Sequence, residues 1–243
     1  MDIGISYLWG SFILFLSLHM TAQTSSLVES EVSKEFYFEE KQGLVVVEAE
    51  NFYKQTNSEV RQWYKIVKDQ TVPLELGTIE KHCSGASNDS YLKVLPDTRV
   101  THSDTLIHGQ NFSNEAGKVA IVSYSVKFNS PGRYYVWVRA FSAGSEDNGI
   151  HVGLNNSWPE HGNRMQWCDG KNKWTWASRQ RTRDQHCGVP HFIYLDVKNK
   201  GFHDVQFSMR EDGFEFDKFI LTKDINYTPV AMGPKEINFR SDK

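Results

Sequence analysis

Two pairs of acids stand two residues apart in otherwise apolar stretches: Glu48 and Glu50 in VVVEAENF, and Glu215 and Asp217 in GFEFDKF. On an extended strand residues i and i+2 share a face, so each pair is presented to one side. Adjacent carboxylates on a half-buried strand repel unless a cation, a basic group or a shared proton neutralises them. The first and last strands of a β-sandwich often lie side by side, which lets Glu48, Glu50 and Asp217 converge. Three hard carboxylate oxygens with backbone carbonyls suit calcium rather than zinc. The competing reading is an edge strand whose outer face is solvated.

A second constellation lies in NNSWPEHGNRMQWCDGKNKWTWASRQRTRDQHCGVP, which holds Trp158, Trp167, Trp174 and Trp176 together with His161, Asn163 and Arg164. Aromatic rings displayed on a surface bind flat apolar faces, and Arg and Asn beside them can hydrogen-bond a ligand's polar groups. In WTW the two indoles share a strand face, and a place in the core is as open to them as a binding platform. Trp137 in YYVWVRAF reads as core, and Trp63 fits either role. Arg179, Arg181 and Arg183 alternate in SRQRTRD as one face of a short basic strand, either solvated or set to meet an acidic or sulfated polysaccharide.

Catalysis has a candidate set in Glu211, Asp212 and Glu215 with His161, since a glycosidase needs two carboxylates at a defined separation. Acids in a turn before a strand are commonly just solvated. A zinc site from Cys168, Cys187, His186 and His191 lacks any C-x-x-C spacing.

These residues must be held by strands. Short alternating runs broken by Gly, Pro, Asn and Asp predict strands over 44–50, 91–95, 118–128, 133–141, 149–154, 191–197, 203–210 and 214–222, and no long run has a 3.6 period. This is the punctuation of an all-β antiparallel sandwich. The layout expected is a signal peptide over 1–23, a polar leader over 24–42, the sandwich over 43–226 and a loosely wrapped tail over 227–243. The apolar run from Tyr7 to Leu18 has signal-peptide length and is too short for a membrane span, so the expected location is secreted or periplasmic.

The 243 residues carry a net charge of −3 with no basic block, which argues against nucleic acid as a partner. Of three cysteines, Cys168 and Cys187 would close a short loop worth about 3 kcal/mol and leave Cys83 over. Pairing of Cys83 with either remains open. Asn88, Asn111, Asn155 and Asn226 sit in acceptor patterns for N-glycosylation.

Taken together, VVVEAENF, PGRYYVWVRA and GFHDVQFSMREDGFEFDKFIL resemble the galactose-binding-like jelly roll of carbohydrate-binding modules of families 6 and 35, and the related C-terminal domain of family 115 glycoside hydrolases. The resemblance covers roughly residues 43–223. It implies a structural calcium on Glu48, Glu50 and Asp217. It also implies sugar binding by loops at one end of the sandwich, through Trp63 or Tyr64, one of Trp174 and Trp176, and Glu215, where the family usually has Asn. With the aromatic and basic loop residues His161, Arg164 and Trp167 added, the expectation is a secreted, monomeric, non-catalytic module. Its ligand would be a polysaccharide: an acidic or sulfated galactan or uronate-rich glycan if the basic strand takes part, a neutral glycan if aromatics act alone. A small hydrolase or lyase on the same sandwich, or a protein-interaction module, are the alternatives.

Overall fold

The computed structural model describes Met1 and residues 36–76, 79–236 and 238–240. The chain divides into a unit of Met1–Val32 and one of Ser33–Lys243, and the fold below is that of the second. The expected signal peptide lies outside the described residues.

Among the described residues sixteen strands follow in chain order. The first eight are β1 Phe36–Glu39, β2 Leu44–Glu48, β3 Lys54–Thr56, β4 Gln62–Val67, β5 Ser90–Leu95, β6 Ile121–Phe128, β7 Gly132–Phe141 and β8 Gly149–Leu154. The rest are β9 Met165–Gln166, β10 Trp174–Ala177, β11 Arg179–Gln180, β12 Val189–Pro190, β13 Tyr194–Val197, β14 Gly201–Met209, β15 Glu215–Thr222 and β16 Asn238–Arg240. They form two sheets. One runs β12-β11-β9-β8-β14-β6-β1-β16 with β3 beside β6, and the other runs β10-β7-β15-β5-β4 with β13 beside β7 and β2 beside β15. Pairing is antiparallel except between β1 and β6.

Alternation builds the core. Tyr134, Val136, Val138 and Ala140 of β7, with Phe216, Phe219 and Leu221 of β15, meet Val122, Tyr124 and Val126 of β6 and Val205 and Phe207 of β14 in one buried cluster. The sandwich that alternation predicted is therefore present. On β15 a register shift between Phe216 and Lys218 places Asp217 as an extra residue, so Glu215, Asp217 and Lys218 all escape the core side.

Four sequence readings change. The first strand stops at Glu48, and Ala49–Asn51 turn as a 3-10 helix, so Glu50 is not a strand neighbour of Glu48. The segment read as leader contributes β1, and the tail contributes β16 against it, register Tyr37 to Phe239. The long aromatic segment is not one loop but carries β9 to β12, with Cys168 bonded to Cys187. Cys83 is left over, as the cysteine count suggested, as a free, buried thiol.

Trp63 is core. It is 2 % exposed, its indole N–H donates to the Ala120 carbonyl at 2.7 Å, and it packs edge-on against Phe214 and Phe216. Trp63→Ala is expected to destabilise the fold by about 3–5 kcal/mol, as other large-to-small core changes of aromatic residues do. Denaturant unfolding followed by far-UV circular dichroism checks this, and an unchanged midpoint would contradict it.

Candidate functional site

The outer face of the β7–β15 sheet carries charges rather than solvent-exposed polar groups. Glu48 on β2 stands opposite Lys218 on β15, which stands opposite Arg139 on β7. Lys218 Nζ lies 2.8 Å from Glu48 Oε1, and Arg139 Nη1 donates to Asp217 Oδ2 at 2.5 Å. Ser87 joins the pairs: its hydroxyl donates to Glu48 Oε1 at 2.9 Å and its amide to Asp217 Oδ1 at 2.7 Å. Glu48, Asp217, Lys218 and Arg139 are each no more than 6 % exposed. Burial raises both the Glu48 and Asp217 carboxyls, with Lys218 and Arg139 respectively pulling them back down.

Calcium needs six to eight oxygens around one point. Both oxygens of Asp217 are spent on Ser87 and Arg139, and one oxygen of Glu48 on Ser87 and Lys218. Of the oxygens of these three carboxylates, Glu48 Oε2 and Glu50 Oε2 are buried without a partner. Among the described residues no group of three or more His, Cys, Asp or Glu side chains is placed to hold a metal. The set Glu48, Glu50 and Asp217 as arranged does not fit a shared calcium. Glu50 instead accepts from the Ser90 hydroxyl at 2.6 Å, and burial pushes its carboxyl up to about 7.

The sugar-site residues disperse. Glu215, in place of the expected Asn, is buried, 3.0 Å from Lys93 Nζ and 2.9 Å from His82 Nδ1, so its charge is already met. Tyr64 is half-buried and packs against the small cluster of Ile66, Cys83 and Tyr91. Trp174 is wedged beside Tyr91 and Phe141 with its N–H on the His82 carbonyl. Trp176 donates to the Ala231 carbonyl at 3.0 Å, so the tail covers it. Trp167 is core, stacked edge-on against Phe214. His161 lies flat on Tyr194, ring centroids 3.9 Å apart.

Nor do the candidate catalytic groups assemble. Asp212 is held by Arg61 and Thr98, Glu211 by Arg210, and Glu215 by Lys93, while His161 faces the Tyr194 carbonyl. The disulfide removes the thiolates a zinc site would need.

What the structure does gather is a cleft of about 590 Å³ lined by five arginines, Arg99, Arg164, Arg181, Arg183 and Arg210, with His102 and His186 and only two acids, Glu146 and Glu211. Five stretches meet there: the 99–114 connection after β5, the turn between β7 and β8, Arg164 just before β9, the stretch after β11 and the turn between β14 and β15. Glu146 is matched by Arg99 and His102, and Glu211 by Arg210. Arg164 reaches back to Glu160 and to the Arg181 carbonyl. Arg181 and Arg183 have no carboxylate partner among the described residues. The excess of positive charge is felt by His186, whose imidazolium Arg181 disfavours. The alternation of Arg179, Arg181 and Arg183 hinted at a basic face. The strand ends at Gln180, however, and Arg179 turns to a different side, 3.9 Å from Asp169. Arg99 and Arg210 had no local signal marking them for this cleft, since they come from distant connections.

No family model matches the chain. Uncharacterized protein P23 of Formosa agariphila is 61 % identical over 227 residues, which is 93 % of this chain and 54 % of that protein, so the chain spans about half of that relative's length. Among solved structures it is similar to a family 35 carbohydrate-binding module from Clostridium thermocellum, 14 % identical over 73 % of this chain and 96 % of that one, TM-score 0.39. A family 35 module from Paenibacillus barcinonensis is 11 % identical over 74 % and 99 %, TM-score 0.41. The C-terminal family 6 module of a marine laminarinase from Zobellia galactanivorans is 15 % identical over 74 % and 99 %, TM-score 0.37. Among the described residues no helix is long and apolar enough to cross a membrane.

Two outcomes follow from the buried charges. Lys218→Met strands Glu48 and should cost about 3–5 kcal/mol, whereas Lys218→Met with Glu48→Gln should recover most of it; thermal melts of the three proteins decide. Glu50 has a folded pKa above its unfolded one, so its contribution to stability is complete below the unfolded value and is lost as pH rises through about 7. The melting temperature should therefore fall between about pH 5 and pH 8, and Glu50→Gln should flatten that slope.

Proposed function

We propose that this chain is a carbohydrate-binding module that holds an acidic polysaccharide, sulfated or uronate-bearing, without cleaving it. The carrying observation is the arginine-lined cleft, in which Arg181 and Arg183 are left without carboxylate partners. Guanidinium groups match carboxylate and sulfate oxygens in fork geometry, and an enclosed cleft of one sign strengthens that attraction. The antiparallel sandwich supports the reading as a scaffold that places five connecting stretches at one site. In the same reading Lys218 and Arg139 do the charge-matching expected of calcium, and the module needs no metal there. Secretion accords with the Cys168–Cys187 disulfide, since such bonds persist in oxidising compartments.

A small lyase or hydrolase is the second reading, favoured by two buried carboxylates in the cleft, Glu146 and Glu211, the latter raised by burial. Their pairing with Arg99 and Arg210 argues against either one moving a proton.

Native affinity electrophoresis through gels containing sulfated, uronic or neutral polysaccharides tests the proposal. Retardation is expected in an acidic gel and is expected to fade with added salt. Arg181→Ala with Arg183→Ala should weaken binding by about a hundredfold or more, each lost charged contact being worth about 1.5–3 kcal/mol. Chelator should leave both retardation and melting temperature unchanged, because a metal bound only by the folded state would raise the melt. Retardation by neutral gels alone would overturn the proposal, and new reducing or unsaturated ends would replace it with the enzyme reading.

A further inference from the structure

Four side-chain polar atoms that are buried without a hydrogen-bond partner belong to residues lining a single cavity: Trp137 Nε1, Gln166 Oε1, Ser178 Oγ and His191 Nδ1. The cavity is about 290 Å³ and lies on the outer side of β7 and β10. Gln166 and Ser178 are each 1 % exposed. The Gln166 amide nitrogen donates to Asn148 Oδ1, which leaves its oxygen as the atom without a partner. Such a group is costly when nothing meets it, and native structures meet it with ordered water or with a ligand.

The lining has the chemistry of one ligand class. Trp137 offers only a donor, Gln166 Oε1 only an acceptor, and Ser178 Oγ and His191 Nδ1 can serve as either. The Trp137 and Trp176 indoles are apolar surfaces beside these groups. The His191 ring stands edge-on to Trp137 at 5.8 Å, and Trp176 is fixed by its bond to Ala231. The two charged lining residues, Asp169 and Arg179, face each other at 3.9 Å and cancel. Aromatic faces, mixed donors and acceptors, and no net charge suit a neutral polyhydroxylated ring.

We infer that this cavity is a second binding site, for a neutral pyranose unit, separate from the arginine cleft. The two share no lining residue. They are joined by the disulfide, since Cys168 lines this cavity and Cys187 follows His186 of the cleft. The inference does not rest on the acidic-glycan reading, because its donors and acceptors would be unmatched whatever the cleft binds.

The test uses the full chain, uniformly labelled with nitrogen-15, titrated with the methyl glycosides of galactose, glucose, mannose, xylose and rhamnose while the indole N–H resonances are followed. At least one glycoside should move the Trp137 resonance saturably and to the same extent at high salt. Arg181→Ala with Arg183→Ala should leave that titration unchanged. Ser178→Ala should weaken it about tenfold without lowering the melting temperature, since the hydroxyl it removes has no partner to lose. Trp176→Phe, which keeps an aromatic wall, gives a second variant should the first fold poorly. No saturable Trp137 shift with any of the five would overturn the second site and leave water as the partner of the four atoms. Loss of the shift in the arginine variant would equally overturn it, by showing that the two sites are one.

Discussion

Three charged residues in four positions on the central strand of a sheet are the constraint around which this protein is arranged. Glu215, Asp217 and Lys218 lie on β15, which is hydrogen-bonded to β2, β5 and β7, and none of the three is more than 2 % exposed. An uncompensated charge in such a place would cost more than the strand gains from its apolar side. Each neighbour therefore supplies the opposite sign: Lys93 from β5 stands in register with Glu215 and Glu48 from β2 with Lys218, while Arg139 from β7, opposite Lys218, reaches the bulged Asp217. The pairing also fixes neighbours in order, because a slip of one residue on any of these strands would turn its partner to the core side.

The cover over that face follows from the same charges. Ser87 bridges Glu48 and Asp217, and the Gly85 carbonyl accepts from Arg139, so the segment after Cys83 is drawn onto the sheet. From the other end of the chain, Glu236 accepts from the Glu48 amide at 2.7 Å and from the Asn51 side chain, and the Pro234 carbonyl accepts from Lys218. The tail is thereby strapped over Trp176, which removes that indole from any open platform and shapes one wall of the neutral cavity. The arginine cleft lies on connections between strands, where Arg181 and Arg183 have no carboxylate partner among the described residues.

Much of the sandwich was legible in the sequence because β6 alternates apolar and polar residues from Val122 to Phe128, β14 does so from Val205 to Met209, and β7 and β15 are rich in apolar residues. The disulfide was legible from cysteine arithmetic. The turn at Ala49–Asn51 was not, since Glu48, Ala49 and Glu50 continue the alternation and only the backbone breaks it. Trp63 looked like a platform because nothing local says that Ala120 and Phe214 will close over it. The carboxylates suggested a metal because Lys218 reads, beside Asp217, as an ordinary solvated charge; only the register shift at that point turns it onto Glu48. The arginine cleft was half visible, through Arg181 and Arg183, whereas Arg99 and Arg210 reach it from connections far apart in the chain.

The most direct measurement is of the arginine side chains themselves. Spectra of the Nε–Hε groups of the nitrogen-15-labelled chain, recorded with a sulfated or uronic oligosaccharide and then with its neutral counterpart, report which guanidiniums engage a ligand. The account predicts shifts at Arg181 and Arg183 with the acidic sugar, none with the neutral one, and no change at Arg139, which Asp217 holds. Shifts that spare both Arg181 and Arg183, or that appear equally with the neutral sugar, would contradict it.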